Sequence, residues 1–110
     1  MVIDLYILLT LVWMHFVADF IFQSDAVAKG KSTSNSVLTW HVSLYSIPFF
    51  WVGWKFAVLN AMLHFATDWV TSRATSWLWQ HNQRHWFFVT IGFDQAVHMT
   101  CLFGTYLWLA

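Results

Sequence analysis

Three of the five aspartates in this sequence have a histidine four residues away: His15 with Asp19, His64 with Asp68 and, in reversed order, Asp94 with His98. With six histidines in 110 residues, random placement gives about half of one such pair when matches to the spacing are counted. On an α-helix, residues four apart share a face, with Cβ atoms about 5 to 6 Å apart. Each pair is therefore a two-ligand half-site, like the paired imidazoles on one helix face that hold zinc. A further histidine, His41, stands in a separate apolar segment. Together His15, Asp19, His41, His64, Asp68, Asp94 and His98 offer imidazole nitrogens and carboxylate oxygens suited to zinc, manganese or iron. Seven ligands are too many for one tetrahedral ion and about right for two divalent ions, with water completing the shells.

The chemistry such a centre performs is hydrolysis, because a divalent ion brings the pKa of bound water near neutrality and so supplies a nucleophile. The chain holds no glutamate, so a carboxylate general base has to be Asp19, Asp68 or Asp94, the candidate catalytic residues. Gln23 and Gln95 are placed to orient ligands from outside the shell, or to bridge helices as amide side chains commonly do. Lys29 and Arg73 are candidates for holding the phosphate of a lipid-like substrate, or serve as anchors at the headgroups. Two rival readings use the same residues. In one, the His–Asp pairs are charge-assisted hydrogen bonds that lock a packed interior and do no chemistry. In the other, histidines on facing helices ligate haem or relay protons.

These side chains sit in an unusual setting. The chain is 59% hydrophobic and 21% aromatic, with only 9% charged residues, against about a quarter charged in a soluble domain. The length allows one domain, spanning 1–110. A membrane span needs about 20 mostly apolar residues, and four segments approach that: about Val2 to Phe22, Val37 to Val52, Phe56 to about Val70, and Phe87 to Ala110. The expected fold class is all-α, a compact bundle of four transmembrane helices. Gly53-Trp54-Lys55 reads as a tight turn between the second and third segments, and Pro48 and Gly53 argue against one straight helix over 37–70. The first segment lacks a basic flank and a small-residue cleavage site, so it is expected to stay in the mature protein rather than to be a cleaved leader. Cys101 is the only cysteine and offers no intramolecular disulfide. Zero net charge gives no case for nucleic acid.

Lys29 and Lys31 fall in the first link, Arg73 and Arg84 flank the third, and Lys55 stands alone at the second. The positive-inside bias puts the first and third links in the cytoplasm and both termini outside. Counting about 1.5 Å per residue from the cytoplasmic ends, Asp19, Asp68, Asp94 and His41 lie about 6 to 12 Å deep, on all four segments at overlapping levels. Ionisable groups inside a bilayer cost at least about 2.5 to 3.5 kcal/mol each, so they face the bundle interior and mark sites or ion paths. The link from Ser72 to His85 reads equally as a helix at the headgroup level or as an extension of the third span.

HFVADFIFQSD at 15–25 with Lys29 after it, His41 alone in its segment, HFATD at 64–68 and FDQAVH at 93–98 together resemble domain-of-unknown-function family 3307, small membrane proteins of bacteria and phages. The resemblance covers nearly the whole chain. It implies a shared pattern of His15, Asp19, Gln23, Lys29, His41, His64, Asp68, Asp94, Gln95 and His98, a place in the bacterial inner (cytoplasmic) membrane, and no known activity. Relatives place a lysine about three residues after the third-segment aspartate, where this chain has Thr71, with Arg73 the nearest substitute. A looser likeness is to membrane-bound metal-dependent hydrolases. The expected partners are the lipid bilayer and a lipid-like substrate. A homo-oligomer or a larger membrane complex is a further expected partner, and a subunit or phage-factor role belongs to the non-enzymatic alternative.

Overall fold

The computed structural model of the chain describes residues 4–109, so the expected limits of the first and last segments at Val2 and Ala110 lie outside the described residues. Helix α1 covers Leu5–Phe16 and runs without interruption into a π-helical turn, Val17–Ile21. Helix α2 is the short Asp25–Gly30, α3 is Asn35–Ser46 followed by a 3₁₀ turn over Ile47–Trp51, α4 is Trp54–Gln80 and α5 is Arg84–Leu109. No strand occurs among the described residues.

Local chemistry explains the boundaries. The Asp4 carboxylate accepts from the Tyr6 amide at 2.8 Å and starts α1, while Ser24 and Ser34 accept from Val27 and Val37, each at 3.3 Å, to start α2 and α3. These are the short polar N-caps that satisfy otherwise orphaned helix amides. Pro48 opens the 3₁₀ turn that ends α3, and the chain breaks at Val52 and Gly53 before α4 begins at Trp54. Trp54 and Lys55 therefore belong to the helix rather than to the turn. At the other end of α4, Asn82 takes the left-handed conformation (φ 59°), with Asn82 N–H donating to Trp79 C=O and Gln83 N–H to Leu78 C=O. That is a Schellman termination with asparagine where glycine is commonest. The stretch Ser72–Gln80 is thus a continuation of the third segment and not a separate surface helix.

Helices α4 and α5 form a long antiparallel hairpin, α3 packs on α4, and α1 leans on α5. A core cluster including Leu11, Tyr45, Phe49, Phe56 and Leu102 holds one end of the bundle together. Buried polar residues nevertheless outnumber buried apolar ones among the described residues, 12 against 9, the reverse of a water-soluble interior. The large apolar side chains point outward instead. Trp13, Trp40 and Trp69 are among them.

One helix among those described, α5, is both long and apolar enough to cross a membrane; the run Leu5–Ile21 is apolar but shorter. Four crossings are thus more than helix length and hydropathy establish. The first segment and the 12-residue α3 fall short in length, and the mean hydropathy of α4 is diluted by Asn60, His64, Asp68, Thr71 and Ser72, all of them buried.

Candidate metal centre

The polar residues of all four long elements meet in the interior. Asp19 is carried there by the π turn, whose bonds reach five residues back, as in Phe22 N–H to Val17 C=O at 3.0 Å. Single π turns recur at functional sites because the extra residue re-aims side chains. Here Asp19 Oδ1 lies 3.0 Å from His41 Nε2 on α3, while the distance to its own helical neighbour, from His15 Nε2 to Asp19 Oδ2, is 3.6 Å.

Four ligand atoms, one each from Asp19, His41, His64 and Asp68, lie within 4.8 Å of one another. His41 Nε2 and His64 Nε2 are 3.2 Å apart, Asp68 Oδ2 is 3.1 Å from His64 Nε2 and 3.3 Å from His41 Nε2, and Asp19 Oδ1 is 3.6 Å from His64 Nε2. Bond lengths of about 2.0 to 2.2 Å around a tetrahedral zinc ion put neighbouring ligand atoms about 3.3 to 3.6 Å apart. The set therefore has the size and composition of a four-coordinate divalent site. A proton on His41 Nε2 points along one direction and serves one acceptor, whereas a cation at the centre serves all four atoms. Asp19 Oδ1 is buried and, although His41 Nε2 lies 3.0 Å away, has no N–H aligned with it; left so, a buried carboxylate oxygen costs about 1 to 3 kcal/mol or more. The donor set fits a metal ion.

A second group, Asp19, Asp94 and His98, also brings its ligand atoms within 4.8 Å of one another. His98 Nε2 is 3.1 Å from Asp94 Oδ2 and 3.2 Å from Asp68 Oδ1. Asp68 thus faces one group with each carboxylate oxygen, and Asp19 belongs to both. The rings of His64 and His98 stack at 4.0 Å, 4° from parallel, leaving no slot between those two for a porphyrin.

His15 stands outside both groups. Its Nε2 is 2.6 Å from Gln95 Oε1 and its Nδ1 is 2.8 Å from the Tyr45 hydroxyl. An amide oxygen only accepts, so Nε2–H donates to Gln95 and Nδ1 accepts from Tyr45. Gln95 passes the order on: its Nε2 donates to Asp94 Oδ2 at 3.0 Å and to Asp19 Oδ2 at 3.4 Å. The Tyr45–His15–Gln95 chain therefore holds two carboxylates from behind. Thr71 donates its hydroxyl to Asp94 Oδ1 at 2.5 Å.

The cationic residues divide differently from expectation. Lys31 Nζ donates to Asp68 Oδ2 at 3.1 Å. Arg73 does not join the cluster: its guanidinium stacks on Trp69 at 4.2 Å and donates to Asn35 Oδ1 and Trp69 C=O. Lys29 lines a cleft of about 710 Å³ that runs from the cluster out between α2 and the α4–α5 hairpin, and Gln23, Lys31, Asp19, Asp68 and Asp94 line it too. Tyr45, Lys31 and Thr71 were missed by sequence reasoning. Lys31 and Thr71 stand four residues from no candidate ligand, whereas Tyr45 is four after His41, so the same spacing could have found it; the Thr71 position was singled out only by the resemblance.

An all-helical bundle that buries a His/Asp cluster able to hold a metal ion is the class that fold and site define. Within that class, the chain belongs to the family described as "Protein of unknown function (DUF3307)", whose model matches residues 7–109. No curated protein and no solved structure matches it.

Proposed function

We propose that this is a four-crossing protein of the bacterial cytoplasmic membrane and a metal-dependent hydrolase, with a two-ion centre opening toward the cytoplasmic leaflet. The observation that carries the reading is the set of Asp19, His41, His64 and Asp68, in which each histidine nitrogen lies 3.0 to 3.6 Å from the other and from both carboxylate oxygens, beside a second carboxylate–imidazole group sharing Asp19. Support for the membrane comes from the polar interior and the outward-facing aromatics. The α3 helix with its 3₁₀ turn, 17 residues together, is about 28 Å long by the rise of each helix type, close to the hydrocarbon thickness of about 30 Å.

A divalent ion bound here supplies a water nucleophile at neutral pH. The chain's own groups do the rest. His41, His64 and His98 present Nε2 to the centre, and Asp19 and Asp68 hold it from the bundle axis. Asp94 is the carboxylate placed to take a proton from the cleft, its side chain 12% exposed against 4% for Asp19 and 2% for Asp68. Thr71 and Gln95 fix both its oxygens.

A structural role as a non-enzymatic membrane component is favoured by one feature, the fully satisfied Tyr45–His15–Gln95 chain, which needs no metal. Elemental analysis of detergent-purified protein decides between them. About one or two zinc, manganese or iron ions per chain are expected for the paired sites; none bound, and none taken up on addition of zinc or manganese, overturns the hydrolase reading.

A further inference from the structure

The cleft above the centre has two unlike walls. Along α4, Thr71, Ser72, Thr75 and Ser76 stand three, four, seven and eight residues after Asp68, so a single polar stripe descends one helix face from the cluster. Opposite it, the start of α5 presents Phe87, Phe88 and Ile91, joined by Phe20 from the π turn. Phe20 and Phe88 are largely exposed, so this wall continues onto the outer surface of the bundle and the cleft is open on its side.

Two polar groups that line the cleft lack partners. Ser72 is 7% exposed, and its Oγ, like Gln23 Oε1, is buried with no hydrogen-bond partner. Both side chains line the cleft. Lys31, 16% exposed, reaches in to Asp68, and Lys29 lines the same space. A ligand that answers these groups accepts from a hydroxyl and an ammonium, and donates to an amide oxygen. It also places an apolar portion against phenylalanine. A volume of about 710 Å³ accommodates a drug-sized group.

We propose that the cleft takes a phosphate ester carried on an apolar tail, with the phosphate against Lys31 and Ser72 and the tail leaving along Phe20, Phe87 and Phe88 into the surrounding lipid. This rests on the two-ion reading, because three aspartates against two lysines leave the floor anionic until divalent ions reverse its sign. Gln23 accepts from a hydroxyl of the ester's polar part. Sequence alone offers Lys29 and Arg73 for a phosphate; Arg73 points away, and Lys31 takes its place.

Manganese tests this directly, since it relaxes any phosphorus nucleus held beside it. The full chain in dodecyl maltoside is loaded with manganese, its metal content is measured, and ³¹P relaxation is followed for inorganic phosphate, glycerol 3-phosphate and dihexanoyl phosphatidic acid. The phosphatidic acid is expected to saturate at a concentration lower than glycerol 3-phosphate by about tenfold or more, from burial of its chains. Lys31→Gln is expected to weaken that binding about tenfold or more, and Ser72→Ala to weaken it less, both with wild-type manganese content. Equal saturation by all three probes identifies a free phosphate site and overturns the tail; wild-type binding by both variants overturns the assigned contacts. Manganese bound without any phosphorus relaxation overturns the substrate class and leaves the centre standing. No manganese bound removes both.

Discussion

Asp68→Asn is the most informative perturbation, because this carboxylate touches every part of the centre. One oxygen is shared by Lys31, His64 and His41 at 3.1, 3.1 and 3.3 Å, and the other lies 3.2 Å from His98. The amide keeps the shape and removes the charge. Its NH₂ has to avoid the Lys31 ammonium, so the oxygen stays on the His41–His64 side and the NH₂ turns to His98 Nε2. The first group then keeps a neutral oxygen in place of an anionic one, and the second group meets a donor where it had an acceptor. Replacing residues that only support metal ligands costs about 10- to 100-fold in affinity. Loss of charge at a ligand shared by two groups is expected to exceed that, giving a drop of at least about 100-fold, or about 2.7 kcal/mol. Competition against a chromophoric chelator measures it, with circular dichroism confirming helix content and Asp25→Asn, remote from the cluster, as control. Metal affinity within tenfold of wild type in Asp68→Asn would refute the assignment of Asp68 to the shell.

Other consequences are as direct. X-ray absorption of the zinc-loaded protein is expected to show a nitrogen and oxygen shell near 2.0 Å, since ligand separations of about 3.2 Å divided by about 1.63 give that radius for a tetrahedron; a six-coordinate shell would contradict the four-atom set. Tyr45→Phe removes the donor to His15 Nδ1 at 2.8 Å and is expected to cost about 1 to 3 kcal/mol in thermal unfolding, the range for a buried acceptor left alone. Because His15 lies outside both ligand groups, that variant should retain full metal stoichiometry, and a metal-free Tyr45→Phe would return His15 to the shell. For topology, single cysteines in a Cys101→Ala background at Ser32 and at Lys55 should react with impermeant thiol reagents from opposite sides of the membrane; labelling from one side only would refute the second crossing.

The sequence by itself determined what lies within reach of one helix turn. The pairing of His64 with Asp68 and of Asp94 with His98, each 3.1 Å apart in the structure, follows from spacing, because helix geometry alone fixes residues four apart on one face. The break at Val52–Gly53 was legible for a similar reason, because proline and glycine act on the backbone locally; the one at Asn82 was not read from the sequence. Only the tertiary structure decided which partner each group prefers. Asp19 stands closer to His41, across the bundle, than to His15 on its own helix, since a π turn rotates it and no spacing rule reports such a turn. His15 is held by Tyr45 and Gln95, Lys31 rather than Lys29 meets Asp68, and Arg73 lies on Trp69. Those outcomes depend on the rotation and separation of helices distant in sequence, where a shift of about one ångström turns a ligand into a neighbour.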